Sequence, residues 1–185
     1  MRIIAGEFSS RKLETLKNRN TRPTLDKVRE AVFSSLGGMF DGGKVLDLYA
    51  GSGACALEAL SRGMDQAVFV DVSRAACGII KKNVVSLHCE ERCRILPVTD
   101  RKALEMLAGE QAFFDLVYLD PPYEKQHNNE IMTYLDENGL VRPGGRVVIE
   151  SLKEDVFADT YGHLRFYKEA IYGIMKIRYY KAETE

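Results

Sequence analysis

From residue 44 onward, short apolar runs alternate with segments of helical periodicity, and this alternation restricts the fold more than any other feature of the chain. "KVLDLY" (44–49), "QAVFVDV" (66–72), "RCRILPV" (92–98), "FFDLVYLD" (113–120) and "GRVVIES" (145–151) read as strands, the last entered through a Pro143-Gly144-Gly145 turn. Helices are expected over 54–62, 73–86 with Ser73 as cap, 100–108, 128–138 and, briefly, 153–160. Strands separated by helices of this length imply right-handed βαβ units and a mostly parallel sheet covered on both faces. The end of the chain breaks the rhythm: residues 163–181 hold two strand-like runs meeting near Tyr172-Gly173 with no helix between them, so they should pair as a hairpin.

Residues 1–43 stand apart as an extension to a main domain over 44–185. "RIIAGEFSSRKL" could form a small hairpin. The segment 24–36 should be an amphipathic helix capped by Thr24, with Leu25, Val28, Val32 and Leu36 on one face. No apolar run approaches the ~20 residues of a membrane span, and the start lacks the apolar core of a signal peptide. A cytoplasmic protein with reduced cysteines is expected. "HCEERC" brings His88, Cys89 and Cys93 together, but no second ligand pair follows at zinc-site spacing. It is expected to be a helix end and loop leading into a strand.

The chemistry sits at the strand ends. The first βα junction, "VLDLYAGSGACALEAL", carries Tyr49, Ala50, Gly51, Ser52 and Gly53, a turn that lets backbone approach a ligand and opens a helix with free N–H groups. Asp71, followed by Val72, ends the second strand, where a carboxylate can accept both ribose hydroxyls of a nucleoside. This much suits NAD and S-adenosylmethionine equally. Asp47, inside the first strand end, would repel a pyrophosphate but suits an α-ammonium group. Asp100 is placed to accept from an adenine amino group. Ligands of open α/β sheets bind beyond the carboxyl ends of the strands, where Asp47, Asp71, Asp100 and Asp120 all fall. A sheet closing in an antiparallel pair, with these acids, is that of class I, Rossmann-like methyltransferases: seven strands, mostly parallel, with helices on both faces.

"DPPY", residues 120–123, decides the reaction. Two consecutive prolines fix φ and donate no backbone hydrogen bond, so Asp120-Pro121-Pro122-Tyr123 is a stiff turn. An exocyclic amino group is a poor nucleophile because its lone pair is conjugated with the base. The Asp120 carboxylate and the Pro121 carbonyl could hold its two N–H bonds and aim the lone pair, while Tyr123 stacks on the extruded base. This points to N-methylation.

With "RIIAG" (2–6), "TRPTLDKVREAVFSSL" (21–36), "VLDLYAGSGACALEALSRG" (45–63), "FVD" (69–71) and "FDLVYLDPPY" (114–123), the chain resembles the RsmD family of 16S ribosomal RNA methyltransferases over nearly its whole length. The resemblance implies methyl transfer from S-adenosylmethionine to a guanine N2 amino group of 16S rRNA. It implies that Arg22-Pro23-Thr24 closes over the methionine end of the cofactor and that Asp120 to Tyr123 hold the base. Net charge is −1, yet residues 1–30 carry +4, leaving −5 for the rest. Arg11, Lys12, Lys17 and Arg19 are therefore candidate RNA contacts. The alternatives are a methyltransferase acting on DNA adenine or a glutamine amide, a catalytically silent RNA-binding relative, and an NAD oxidoreductase. For the last, His88, His127 and His163 look like scattered surface residues.

Overall fold

The computed structural model describes residues 1–17 and 23–184. Helix α1 spans Pro23–Ser35, and from Lys44 strands and helices alternate. They run β1 (Lys44–Asp47), α2 (Ala54–Ser61), β2 (Gln66–Val70), α3 (Arg74–Ser86), β3 (Cys93–Leu96), α4 (Asp100–Gly109), β4 (Phe114–Leu119), α5 (Asn128–Glu137) and β5 (Val141–Leu152). The chain then closes with β6 (Thr160–Tyr161), β7 (Leu164–Tyr172) and β8 (Met175–Ala182). Sheet order is β3-β2-β1-β4-β5-β8-β7-β6, parallel through β5 and antiparallel beyond it. Connections reverse direction between β1 and β4, which opens a crevice at their carboxyl ends. This is the class I methyltransferase sheet.

Strand alternation divides the core in two. Val45, Leu116, Tyr118 and Val148 pack with α1, α2 and α3 on one face. Leu46, Val117, Val147 and Ile149 pack with α4 and α5 on the other. The acids at the strand ends inherit this alternation: Asp47, Asp120 and Glu150 continue the rows of Val45, Tyr118 and Val148 and lie toward the α1–α2 side.

Several expectations are corrected. The sheet has eight strands among the described residues, because Thr160–Tyr161 pairs with the edge of β7 where the helix over 153–160 was expected. Long-range side chains hold that segment open: Lys176 Nζ donates to the carbonyls of Lys153 and Asp155, and Arg178 binds Asp159 at 2.9 Å. Strand β5 begins at Val141, so the Pro-Gly-Gly turn lies within it, opposite a register shift between Phe114 and Leu116 of β4. Helix α1 starts at Pro23, placing Thr24 in its first turn instead of at its cap. Ser73 does cap α3, accepting from the Ala76 N–H at 3.2 Å. The "HCEERC" stretch is a helix end, a short 3₁₀ turn and the start of β3, as expected.

The expected N-terminal hairpin forms and is short: an antiparallel bridge between Arg2 and Lys12, flanked by Ile3 N–H donating to the Arg11 carbonyl and Leu13 N–H to the Met1 carbonyl, both at 3.0 Å. The extension is held by α2 and α3. Ile3, Phe8 and Leu13 enter the α1–α2 core. Gly6, at φ +87°, passes so close to α2 that a Cβ would lie 1.8 Å from the Ser61 carbonyl oxygen. Glu58, fully buried in α2, accepts from the Ile4 N–H at 2.9 Å and has Arg29 and Arg62 each 3.6 Å away. Arg29 also donates to the Arg2 carbonyl. Buried Asn83 of α3 accepts from the Glu14 N–H at 2.8 Å and donates to the carbonyls of Glu14 and Ser52. "RIIAG" and "VREA" thus meet at one buried carboxylate.

Candidate active site

The turn after β1 is fastened at both sides. Leu48 N–H donates to Tyr118 of β4 and Ala50 N–H to Val70 of β2, at 3.2 and 2.8 Å. Gly53 precedes α2 at φ +85°, and a Cβ there would meet the Phe69 ring at 3.1 Å. Only glycine allows the helix start to come this close to the sheet.

Asp71 accepts from the Gly51 N–H through Oδ2 and from the Ser73 N–H through Oδ1, both at 2.9 Å. A carboxylate has about four acceptor sites, so two remain, the number a ribose diol requires. Asp100 is more heavily engaged. Its Oδ1 accepts from the Arg101 N–H and its Oδ2 from the Tyr49 hydroxyl, each at 2.7 Å. His127 Nε2 lies 2.7 Å from the same Oδ2, and its Nδ1 lies 3.1 Å from the Lys125 carbonyl oxygen. His127 is therefore a half-buried wall of the cleft, not the scattered surface residue expected. Burial and the Asp100 carboxylate push the Tyr49 hydroxyl above the usual tyrosine range. Tyr49, Asp71, Val72, Val98, Asp100, Pro122 and His127 enclose one compartment, in which Val72 stays 69% exposed.

A second compartment lies beneath the N-terminal segment, lined by Met1, Leu16, Asp47, Ser52, Tyr118 and Glu150 among others. Tyr49 and Asp120 line both compartments, so the two meet at the "DPPY" turn. Asp47 is 2% exposed, and burial raises its pKa to about 7. The N–H groups of Ala56 and Tyr49 oppose that rise, while Glu150 and Asp71 add to it. Cys55 lines the same compartment, but burial holds its thiol well above the usual range, and no nucleophilic role follows.

In the turn itself, Pro121 is buried while Asp120, Pro122 and Tyr123 are exposed at the cleft rim. A single 3₁₀ turn over Tyr123–Lys125 follows, closed by Lys125 N–H donating to the Pro122 carbonyl at 3.0 Å. Tyr123 is 39% exposed, an aromatic face open to solvent beside Asp120.

Other expected residues are placed less simply. Arg11, Lys12 and Lys17 are exposed, but the Arg11 guanidinium donates to the Ser86 carbonyl at the end of α3, at 2.7 Å. Arg19 and Arg22 lie outside the described residues, and Pro23 and Thr24 contribute the first turn of α1. Sequence reasoning missed Glu58, Asn83, Tyr118, Glu150 and the position of His127. For Glu58 the signal was present: an acid in the otherwise apolar "ACALEAL" needs a buried partner.

The family model described as conserved hypothetical protein 95 matches residues 1–181. YlbH of Bacillus subtilis, an rRNA methyltransferase by provisional name, is 35% identical over 98% of each chain. The ribosomal RNA small subunit methyltransferase D of Haemophilus influenzae is 32% identical over 98% of this chain and 93% of its own. The solved structure of yhhF from Escherichia coli superposes with a TM-score of 0.84 at 30% identity, covering 100% of this chain and 99% of that one. With residues 1–181 matched by the family model and the fold superposing over the full chain, the chain belongs to the family of conserved hypothetical protein 95, the RsmD family.

Proposed function

We propose that the protein transfers a methyl group from S-adenosylmethionine to the exocyclic N2 amino group of a guanine in 16S ribosomal RNA. The observation that carries this reading is the meeting of the two compartments at Asp120: one lined by Asp71, Val72, Val98 and Asp100, the other by Asp47 and Glu150, both opening on the same stiff turn. The residues fit the cofactor. Two open acceptor sites on Asp71 suit the ribose, and the apolar Val72 and Val98 suit an adenine face. Asp47 suits the cationic methionine end. Bound there, S-adenosylmethionine supplies an electrophilic methyl group.

The chain's own residues do the rest. Asp120 and the Pro121 carbonyl accept the two amino N–H bonds and turn the nitrogen lone pair out of conjugation. Tyr123 stacks on the extruded base at the rim. The Asp120 carboxylate also stabilises the positive charge that develops on nitrogen and takes the proton that the methylated nitrogen sheds. Residues 1–43 act as an extension that roofs the methionine end and presents Lys12, Lys17 and Arg19 to RNA phosphates, with Arg22-Pro23-Thr24 closing over the cofactor.

The test is transfer of labelled methyl from S-adenosylmethionine to small subunits and to free 16S rRNA lacking the modification, followed by nucleoside analysis. Label in N2-methylguanosine is expected. Label confined to another nucleoside or to protein would overturn the reading.

A further inference from the structure

Strand β5 places a second carboxylate beside the reacting turn. Glu150 lies one residue beyond the Leu119–Ile149 pair of the β4–β5 ladder, as Asp120 does on the neighbouring strand. Both side chains belong to the α1–α2 face and line the same compartment. The buried Tyr118 hydroxyl donates to Glu150 Oε1, which fixes the carboxylate and directs Oε2 elsewhere. No lysine or arginine among the described residues forms an ion pair with Glu150. Arg29, which lines the same compartment, is committed to Asp26, Glu58 and the Arg2 carbonyl. A half-buried carboxylate oriented by a tyrosine and left without a cation is arranged to accept from a ligand.

The chemistry of that ligand follows from the spacing. Adjacent strands stand about 4.8 Å apart. Side chains on neighbouring residues of two such strands can reach two neighbouring donors on one base edge. Guanine offers such a pair, the exocyclic amino group and the ring N1–H. Adenine presents a lone pair at N1, which a carboxylate repels, and a glutamine amide has no ring N–H.

Resting on the guanine-N2 reading above, we propose that Glu150 is the specificity-determining residue of the site. Its Oε2 accepts from guanine N1–H while Asp120 and the Pro121 carbonyl take the amino group. Tyr118 is a positioning residue that acts through Glu150.

The test uses the full chain and an RNA fragment carrying the labelled guanine, located by nuclease mapping of the labelled rRNA, or 2,6-diaminopurine in its place. Diaminopurine keeps the 2-amino group but turns N1 into an acceptor. Wild-type protein should favour guanine by on the order of 100-fold or more in kcat/KM, because the diaminopurine N1 sets a lone pair against Glu150 Oε2 where guanine offers a donor. Glu150→Gln can offer N1 a donor and still accept from Tyr118, so it should shrink that ratio by roughly 10-fold or more. Tyr118→Phe should shrink it less, and S-adenosylhomocysteine affinity should stay within about twofold in both variants, below the scale of one lost hydrogen bond. Wild-type protein that labels no guanine overturns the guanine-N2 reading and this inference with it. Wild-type labelling with an unchanged ratio in Glu150→Gln overturns the inference alone. So does loss of S-adenosylhomocysteine binding with the ratio intact, which would make Glu150 a cofactor ligand.

Discussion

The Asp47→Asn variant should be more stable than the parent protein at pH 8 and close to it at pH 5. Asp47 is 2% exposed, with its pKa raised from 3.8 to about 7, mainly by burial. Glu150 from β5 and Asp71 from the end of β2 face it with like charge. Between the two pKa values the folded protein keeps a proton that the unfolded chain has released. Stability from this group is therefore fully present below about pH 4 and is lost as pH rises toward 7. At about 1.4 kcal/mol per pH unit, roughly 3 kcal/mol disappears between pH 5 and pH 8. Asparagine does not titrate and escapes that loss, although it leaves one of the two N–H donors, Ala56 or Tyr49, without its acceptor. Urea unfolding of both proteins at both pH values isolates the effect, because every other titration cancels in the double difference. The stability gain should be larger at pH 8 than at pH 5 by roughly 3 kcal/mol. The variant should also bind S-adenosylhomocysteine on the order of 10-fold more weakly or worse, having lost a charged acceptor for the ammonium group. Equal effects at the two pH values would mean that Asp47 is ionised throughout, and the reasoning would fail.

Asp120→Ala should leave S-adenosylhomocysteine binding nearly unchanged while methyl transfer falls roughly 100-fold, the scale of one well-placed transition-state group; calorimetry and single-turnover kinetics separate the two, and wild-type turnover would reduce "DPPY" to a stiff connection. Glu58→Ala strands Arg29 and Arg62 in the core and should cost about 3–5 kcal/mol in denaturant unfolding; a loss below about 1 kcal/mol would show that the buried carboxylate is not the clasp described above. Neutralising Lys12, Lys17 and Arg19 together should weaken RNA binding and flatten its log–log salt slope by about 0.7–0.9 for each phosphate that is no longer neutralised. Arg11 is left intact in that test because its guanidinium holds the end of α3, and an unchanged salt slope would make the basic segment ordinary surface.

The βα order was legible because the central parallel strands appear as runs of apolar residues, and because the acids at the strand ends interrupt those runs at the crevice. Misreadings arose where distant side chains decide the backbone. Residues 153–159 have helix-compatible composition, but Lys176 and Arg178, across a strand pairing, take the groups a helix would need. Pro143-Gly144-Gly145 looked like a boundary because its turn chemistry is local, whereas its place inside β5 depends on the register shift in β4. The site was read as single acids, and the structure adds their partners. Asp100 comes with Tyr49 and His127, and Glu150 with Tyr118, while Asp120 shares a compartment with Glu150. No periodicity encodes these partnerships, since they arise where strands distant in sequence become neighbours.

The binding of the first fourteen residues to α2 and α3 has a consequence for the order of events during synthesis. Ile4 waits for Glu58, 54 residues later, and Glu14 waits for Asn83, 69 residues later. Local hydrogen bonds such as Ile3 N–H to the Arg11 carbonyl can close the hairpin early, but among the described residues these distant side chains are the acceptors for Ile4 and Glu14, so the hairpin cannot dock as it emerges. At about 5–20 residues per second, a chain growing on a ribosome leaves Glu14 without its partner for on the order of 3–14 s. Its apolar Ile3, Phe8 and Leu13 are exposed for a comparable time. The segment that roofs the cleft is thus made before α2 and α3 and docks only after them, and contacts this distant in sequence slow the folding of the whole domain.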